Sequence, residues 1–225
     1  MGTLSVVATP IGNLGDITLR ALETLRTADV IACEDTRVTA KLLARYEIEK
    51  PLVIFHAQNA RAGGARVLGL LREGKQVALV TDAGTPGVSD PGSELVALVR
   101  RELPEARIEA IPGPAALTAA LSIAGVPVAE FTFLGFLPHK KGRQTLFAEI
   151  ADASRAYVFY ESPHRIEKAL ASLAEVLAPE RQVVVARELT KLHESLITGS
   201  ASEVAAYFAS HPDEIRGEFV VIVAP

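Results

Sequence analysis

Tryptophan is missing from the 225 residues, cysteine and methionine occur once each, and aromatic residues make up only 5% of the chain. The single cysteine, Cys33, leaves nothing for an internal disulfide or a thiolate zinc cluster, and its apolar neighbours mark it as a small buried hydrophobe. Long hydrophobic runs are also missing. Stretches such as residues 220–225 fall far short of the roughly 20 apolar residues that cross a bilayer, so no membrane span is expected. The first residues, Gly2-Thr3-Leu4-Ser5-Val6-Val7, carry neither a basic leader nor a small-residue cleavage site, which points to the cytoplasm. Positive charge is in the minority, with 23 Lys and Arg against 27 Asp and Glu and a formal net charge of -4. This excludes a protein that is basic over its whole surface and grips nucleic acid everywhere, but not one with a local basic patch.

What is present is an ordinary globular composition, 49% hydrophobic and 22% charged. Short β-branched runs at 4–8, 30–33, 52–55, 77–80 and 108–111 read as buried strands. Helical spacing lies between them, as at Leu19, Leu22 and Leu25, and at Val67, Leu70 and Leu71 ahead of the Glu73-Gly74 stop. Such alternation predicts βα units around a mainly parallel sheet. The pattern resets at Pro112-Gly113-Pro114, where two prolines flanking a glycine cannot continue a strand or helix. A helix is predicted over 115–124, then strands over 131–134, 156–160, 183–186, 195–198 and 219–223. A helix between the second and third of these carries Ile166, Ala169, Leu170, Leu173, Val176 and Leu177. The expected organisation is two α/β domains, 1–112 and 113–225.

The chemistry-bearing segments fall at the ends of predicted strands, where α/β folds place ligands. The first is Thr9-Pro10-Ile11-Gly12-Asn13-Leu14-Gly15-Asp16; it reads equally as a ligand loop and as a connection capped by Thr18. The second, residues 81–92, packs three glycines and two prolines into a rigid open loop that is neither a dinucleotide fingerprint nor a Walker A sequence. Asp82 at its start suits a ribose or an amine, and Asp90 suits either a ligand or the cap of the helix beginning near Ser93. Three charged segments follow: Glu34-Asp35-Thr36-Arg37, Glu161-Ser162-Pro163-His164-Arg165 and Ala186-Arg187-Glu188-Leu189-Thr190-Lys191. Any one of them reads as surface ion pairs; three at three strand ends point to a charged cleft.

Taken in order, Thr-Pro-Ile-Gly-Asn-Leu-x-Asp-Ile-Thr, Glu-Asp-Thr-Arg, Asp-Ala-Gly-Thr-Pro-x-x-Ser-Asp-Pro-Gly, Pro-Gly-Pro, Glu-Ser-Pro-His-Arg and Ala-Arg-Glu-Leu-Thr-Lys resemble the ribosomal RNA small subunit methyltransferase I family of the tetrapyrrole methylase (class III methyltransferase) superfamily. The resemblance runs from Val7 to about Val223. It implies two α/β domains with the donor, S-adenosyl-L-methionine, in the cleft between them, and a homodimer. It also implies 2′-O-methylation of a cytidine in 16S ribosomal RNA of the small ribosomal subunit. By the same resemblance the donor is held around Pro10, by Asp82 and Thr85, by Ala115 and Ala116, and by backbone near Tyr160 and Ala186. Ala115 stands where members commonly carry Ser, and many members continue beyond the position of Pro225. The rival readings are a methyltransferase of the same fold acting on a tetrapyrrole precursor, another small molecule or a protein, and a non-catalytic nucleotide-binding module.

Methyl transfer to a ribose hydroxyl is an in-line displacement from a sulfonium and calls for no metal. A base that takes the hydroxyl proton would help, and Glu34, Asp35, Glu161, His164 and Glu188 are the candidates by type, with Arg37 and Arg165 beside them. His164 reads equally as a solvent-facing residue at a helix start. For RNA contact the densest basic run is His139-Lys140-Lys141-Gly142-Arg143, read as an exposed Gly-flanked loop. Arg187 and Lys191 join it, as does a stripe of Arg37, Lys41 and Arg45 on one helix face.

Overall fold

The computed structural model describes residues 1–139 and 142–225, which fall into two compact units, Met1–Ala115 and Ala116–Pro225. The division falls slightly C-terminal of the Pro-Gly-Pro turn at 112–114.

The first unit alternates strand and helix: β1 (Thr3–Val7), α1 (Leu19–Thr27), β2 (Val30–Cys33), α2 (Thr36–Arg45), β3 (Leu52–Ile54), α3 (Ala60–Arg72), β4 (Gln76–Leu79), α4 (Gly92–Glu102) and β5 (Arg107–Ile111). Every pairing is parallel and the strand order is β3-β2-β4-β1-β5. A parallel sheet covered on both faces needs apolar residues at every strand position, and the strand period of two sorts them into separate cores. Val7, Ile31, Ala78 and Val80 pack with Leu22 and Leu25 of α1 and Leu42 and Leu43 of α2. Leu4, Ala32, Val77 and Leu79 pack with Val67 and Leu71 of α3 and Leu95 and Val99 of α4. Polar side chains start two of the helices: Thr18 accepts the Ala21 N–H at 3.1 Å for α1, and Asp35 accepts the Arg37 N–H at 2.8 Å for α2. Helix α3 fits closely because it carries two adjacent glycines. A Cβ on Gly63 would stand 2.6 Å from the Ile54 carbonyl oxygen, and one on Gly64 would stand 2.5 Å from Leu98 Cδ2.

The second unit contains α5 (Ala116–Ile123), β6 (Phe131–Phe136), α6 (Arg143–Asp152), β7 (Ala156–Glu161), α7 (Ile166–Val176), β8 (Gln182–Arg187), β9 (Ser195–Ser200), α8 (Ala201–Ser210) and β10 (Phe219–Val223). Its sheet is mixed, in the order β6-β7-β10-β8-β9. β6 and β7 are parallel, β10 runs antiparallel between β7 and β8, and β9 is antiparallel to β8. One core joins Tyr157, Phe159, Val183, Val185, Val221 and Val223 of the sheet to Phe147 and Ile150 of α6, Leu170 and Leu173 of α7, and Val204 and Phe208 of α8. Helix α8 begins in a capping box, in which Ser200 and Glu203 satisfy each other's backbone N–H groups. Neither α6 nor α8 is legible as a separate helix in the sequence pattern.

These topologies collect the loops. In the first unit all five carboxyl ends lie along one edge of the sheet. In the second, the carboxyl ends of β6, β7 and β8 share an edge with the starts of β9 and β10. Among the described residues no helix is long and apolar enough to cross a membrane.

Candidate functional site

At the carboxyl edge of the first sheet, three loops are tied together. The backbones of Thr9 and Gly84 exchange two hydrogen bonds, of 2.9 and 3.1 Å, joining the loop after β1 to the Gly-rich loop after β4. The Thr9 hydroxyl, buried, donates to the Thr81 carbonyl at 3.1 Å. Thr85 Oγ1 then donates to the Pro114 carbonyl at 3.0 Å and attaches the Gly-rich loop to the turn after β5. Gly84 has φ +85, the left-handed region, and a Cβ there would stand 3.4 Å from Ile11 and 3.7 Å from the Pro114 oxygen. Pro10, Thr85 and Ala115, expected at the donor, therefore lie on or directly beside loops that are joined to one another.

Carboxylates line the same edge. Asp82 Oδ1 accepts the Asp35 N–H at 3.0 Å, and the Thr81 hydroxyl donates to Glu34 Oε2 at 3.3 Å. Desolvation, helped by the charge of Asp82, raises the Glu34 pKa; desolvation, helped by the charge of Asp35, raises that of Asp82. Asp35 behaves in the opposite way. Hydrogen bonds from the Arg37 side chain and backbone, with an Arg37 Nη2 contact of 2.6 Å, hold its carboxyl at about 2. Asp90 is not the cap of α4, whose cap position is Pro91; it accepts the N–H groups of Gly87 at 2.9 Å and Gly92 at 2.7 Å and so braces the Gly-rich loop. An edge with Glu34, Asp35 and Asp82 against one arginine suits a cationic ligand. Backbone-built loops with little side-chain bulk suit a nucleoside.

In the second unit, the residues expected near the donor are also adjacent. Tyr160, Val220 and Ala186 stand side by side across β7, β10 and β8. The Leu117 N–H, one residue past Ala116 in the first turn of α5, donates to the Tyr160 hydroxyl at 3.1 Å. Phe133 and Phe136 pack edge-on against the Tyr160 ring.

The charged segments of this unit meet at the shared strand edge, where Phe219 pairs with both Glu161 and Arg187. Glu161, 1% exposed, binds Arg165 Nη2 at 2.9 Å and accepts the Ser162 N–H at 2.8 Å. His164 is exposed just ahead of α7. Glu188 accepts Lys191 Nζ at 2.7 Å and the Glu218 N–H at 3.0 Å. Burial alone would raise the Glu188 pKa, but these two bonds outweigh it and the net shift is downward. The segment is strained as well as charged: Glu188 has φ 50 and Thr190 has φ 66, and neither is glycine.

The basic residues depart from expectation. Lys140 and Lys141 lie outside the described residues. Arg143 opens helix α6 and is 7% exposed, so it is no part of an exposed loop. Arg187 is buried and donates to the carbonyls of Arg216 and His193, at 3.2 and 3.0 Å, which gives it a structural task in place of an exposed phosphate contact. Lys191 is neutralised by Glu188 and by Glu218 at 2.8 Å. Arg37, Lys41 and Arg45 are exposed on α2. The role of Thr9 as the link between two loops was not foreseen; its place one residue past a buried strand was the available signal.

Residues 3–205 match the family Tetrapyrrole (Corrin/Porphyrin) Methylases. The chain is 45% identical over 224 residues to ribosomal RNA small subunit methyltransferase I of Thermotoga maritima, covering 100% of this chain and 99% of that protein. It is 47% identical to the protein of the same name from Neisseria meningitidis serogroup B, covering 100% of this chain and 76% of that one. Among solved structures it is similar to a cobalt precorrin-4 methyltransferase, with a TM-score of 0.72, 18% identity, and 99% and 94% of the two chains covered. It is also similar to uroporphyrin-III C-methyl transferase from Thermus thermophilus complexed with S-adenyl homocysteine, with a TM-score of 0.67, 20% identity, and 99% and 97% covered.

Proposed function

The chain belongs to the tetrapyrrole methylase family, and from that premise we propose that it transfers a methyl group from S-adenosyl-L-methionine to a cytidine 2′-hydroxyl of small-subunit ribosomal RNA. The observation that carries the reading is the carboxyl edge of the first sheet, where Thr9, Gly84, Thr85 and Pro114 lock three loops around an acidic rim. Its relatives with 45 to 47% identity are named for ribosomal RNA, which favours this substrate over a tetrapyrrole precursor.

The donor supplies an activated methyl group on a cationic sulfur. Asp82 and the backbone of the Gly-rich loop would hold it, with Pro10 and Ala115 beside them. Ala116, Tyr160 and Ala186 are the further contacts that the family resemblance would assign to it. The protein's main task is alignment of the acceptor oxygen and exclusion of water. Glu34 is the base for the hydroxyl proton, because its pKa is raised while those of Asp35 and Glu188 are lowered by their cations. Glu161 is committed to Arg165 and acts by holding that arginine. The acceptor is presented on the assembled small subunit, the enzyme works as a twofold homodimer, and its compartment is the cytoplasm. A ribose-methylation map of small-subunit RNA, with and without the enzyme, tests the reading. One new 2′-O-methylcytidine is the expected result; methylation of a tetrapyrrole precursor in place of RNA would overturn it.

A further inference from the structure

At the carboxyl edge of β6 and β7, a second, buried arginine lies near an arginine–carboxylate pair. Glu161 is tied to Arg165, and Arg143 lies close enough to both for their charges to act on it: Glu161 favours its cation and Arg165 opposes it. The three groups sum to one positive charge in a largely water-free place. Arg143 is 7% exposed, and its Nε and Nη2 have no hydrogen-bond partner among the described residues; Nε of Arg165 is in the same condition. The Arg143 guanidinium lies over the Phe147 ring at 5.3 Å, and burial lowers its pKa, as befits a cation whose lost hydration has not been replaced. A charge in this state is unfavourable until an acceptor arrives.

Two helix starts sit at the same edge. Helix α6 begins after Gly142, in the left-handed region at φ 81, and α7 begins after Arg165; neither has a side-chain cap. The Ile166 N–H at the start of α7 donates to the Ser162 carbonyl at 3.0 Å, whereas a helix start without a side-chain cap, as in α6, presents the positive end of the helix dipole, which favours an anion. The planar fork of a guanidinium matches the paired oxygens of a phosphate.

We propose that Arg143 and Arg165 form a buried phosphate site that takes one backbone phosphodiester of the RNA substrate, with Glu161 as the positioning residue that orients Arg165. The identity of the phosphate rests on the RNA reading above; the anion site itself does not. Arg143 and Arg165 then bind RNA from within the fold rather than from an exposed patch, which accounts for RNA binding by a protein of net charge -4.

The test uses Arg143→Met, which keeps volume and removes charge, and Arg143→Lys, which keeps charge and loses the fork. In phosphate-free buffer R143M melts above the parent, because an uncompensated buried charge is gone. It binds S-adenosyl-L-methionine as the parent does, yet needs roughly tenfold more small subunits for half-maximal methylation, the loss expected for one charge-assisted contact. Its plot of log affinity against log salt is shallower by about 0.7. R143K recovers part of the affinity. Inorganic phosphate raises the parent's Tm beyond the effect of sodium chloride at equal ionic strength, and R143M abolishes the difference. If R143M melts below the parent, with no phosphate-specific shift and an unchanged salt slope, Arg143 is a packing residue and the proposal falls. Weakened donor binding would instead give the cluster to the donor's carboxylate and overturn it too. Should R143M not fold, R143K carries the phosphate and salt measurements to the same decision. A parent enzyme that transfers nothing to small subunits overturns the RNA reading, while the phosphate-dependent Tm shift still decides the anion site.

Discussion

Thr9 and Gly84 face each other as an isolated antiparallel bridge, each donating its N–H to the other's carbonyl. The bridge fixes the height of the Gly-rich loop above the sheet, and it depends on a backbone that only glycine adopts readily, φ +85. Gly84→Ala is expected to cost about 1 to 2 kcal/mol of stability, the strain of a left-handed alanine. It should also weaken donor affinity by moving Asp82 and Thr85. Urea denaturation and calorimetry read the two effects, and an unchanged donor affinity would detach the bridge from the site.

Asp82 ties the Gly-rich loop to the segment after β2, since one of its oxygens accepts the Asp35 N–H at 3.0 Å. Asp82→Ala should weaken S-adenosyl-L-methionine binding by about 1 to 3 kcal/mol, the range for removal of a charge-assisted hydrogen bond. Calorimetry on the folded variant decides it; parent-like affinity would remove Asp82 from the donor site.

Glu34 is predicted to trade stability for activity. Its pKa in the folded protein is raised above the ordinary 4.5, so the folded state binds more protons than the unfolded one between that value and its own. Stability contributed by protonated Glu34 is therefore present at low pH and falls as pH rises through the window. Glu34→Gln should be at least as stable as the parent at neutral pH. It should lose roughly a hundredfold in turnover, and the acid limb of the pH–rate profile should go with it. A variant that keeps the acid limb places the base elsewhere.

Strand positions in the first unit were legible because a parallel sheet buried on both faces needs unbroken apolar runs, as in Val30-Ile31-Ala32-Cys33. The loops were legible for the complementary reason: Gly and Pro mark backbone conformations that side chains forbid. Charge was read less well. A basic residue such as Arg143 or Arg187 looks the same in the sequence whether it meets water, a carbonyl or a buried carboxylate, and burial is decided by elements far away in the chain. Helix α8 is faint in the sequence because alanines weaken its apolar stripe, although Ser200 and Glu203 have the spacing of a capping box.

Arg187 is predicted to act through the fold. Its guanidinium bridges the Arg216 and His193 carbonyls beside the strained Glu188 to Thr190 segment. Arg187→Ala should leave those carbonyls short of a donor and lower stability by about 1 to 3 kcal/mol. The salt dependence of RNA affinity should stay as in the parent. A shallower salt slope in a stable variant would return Arg187 to the RNA.

Helix α2 carries the remaining test of how RNA is reached. Arg37 is engaged by Asp35, whereas Lys41 and Arg45 stand exposed one turn apart on the same face, with Arg45 also lying 5.6 Å over the Tyr46 ring. Exposed cations at this spacing can follow a phosphate backbone, and removing one such cation lowers the slope of log affinity against log salt by about 0.7 to 0.9. The Lys41→Ala, Arg45→Ala double variant is thus expected to reduce the slope by up to about 1.4 to 1.8. The methylated ribose and the donor affinity should stay the same, because phosphate-binding cations position the RNA without reading its sequence. Small-subunit methylation across a salt series measures it. Parent-like affinity at every salt concentration would make this face of α2 a solvated surface and leave Arg143 and Arg165 as the principal phosphate site.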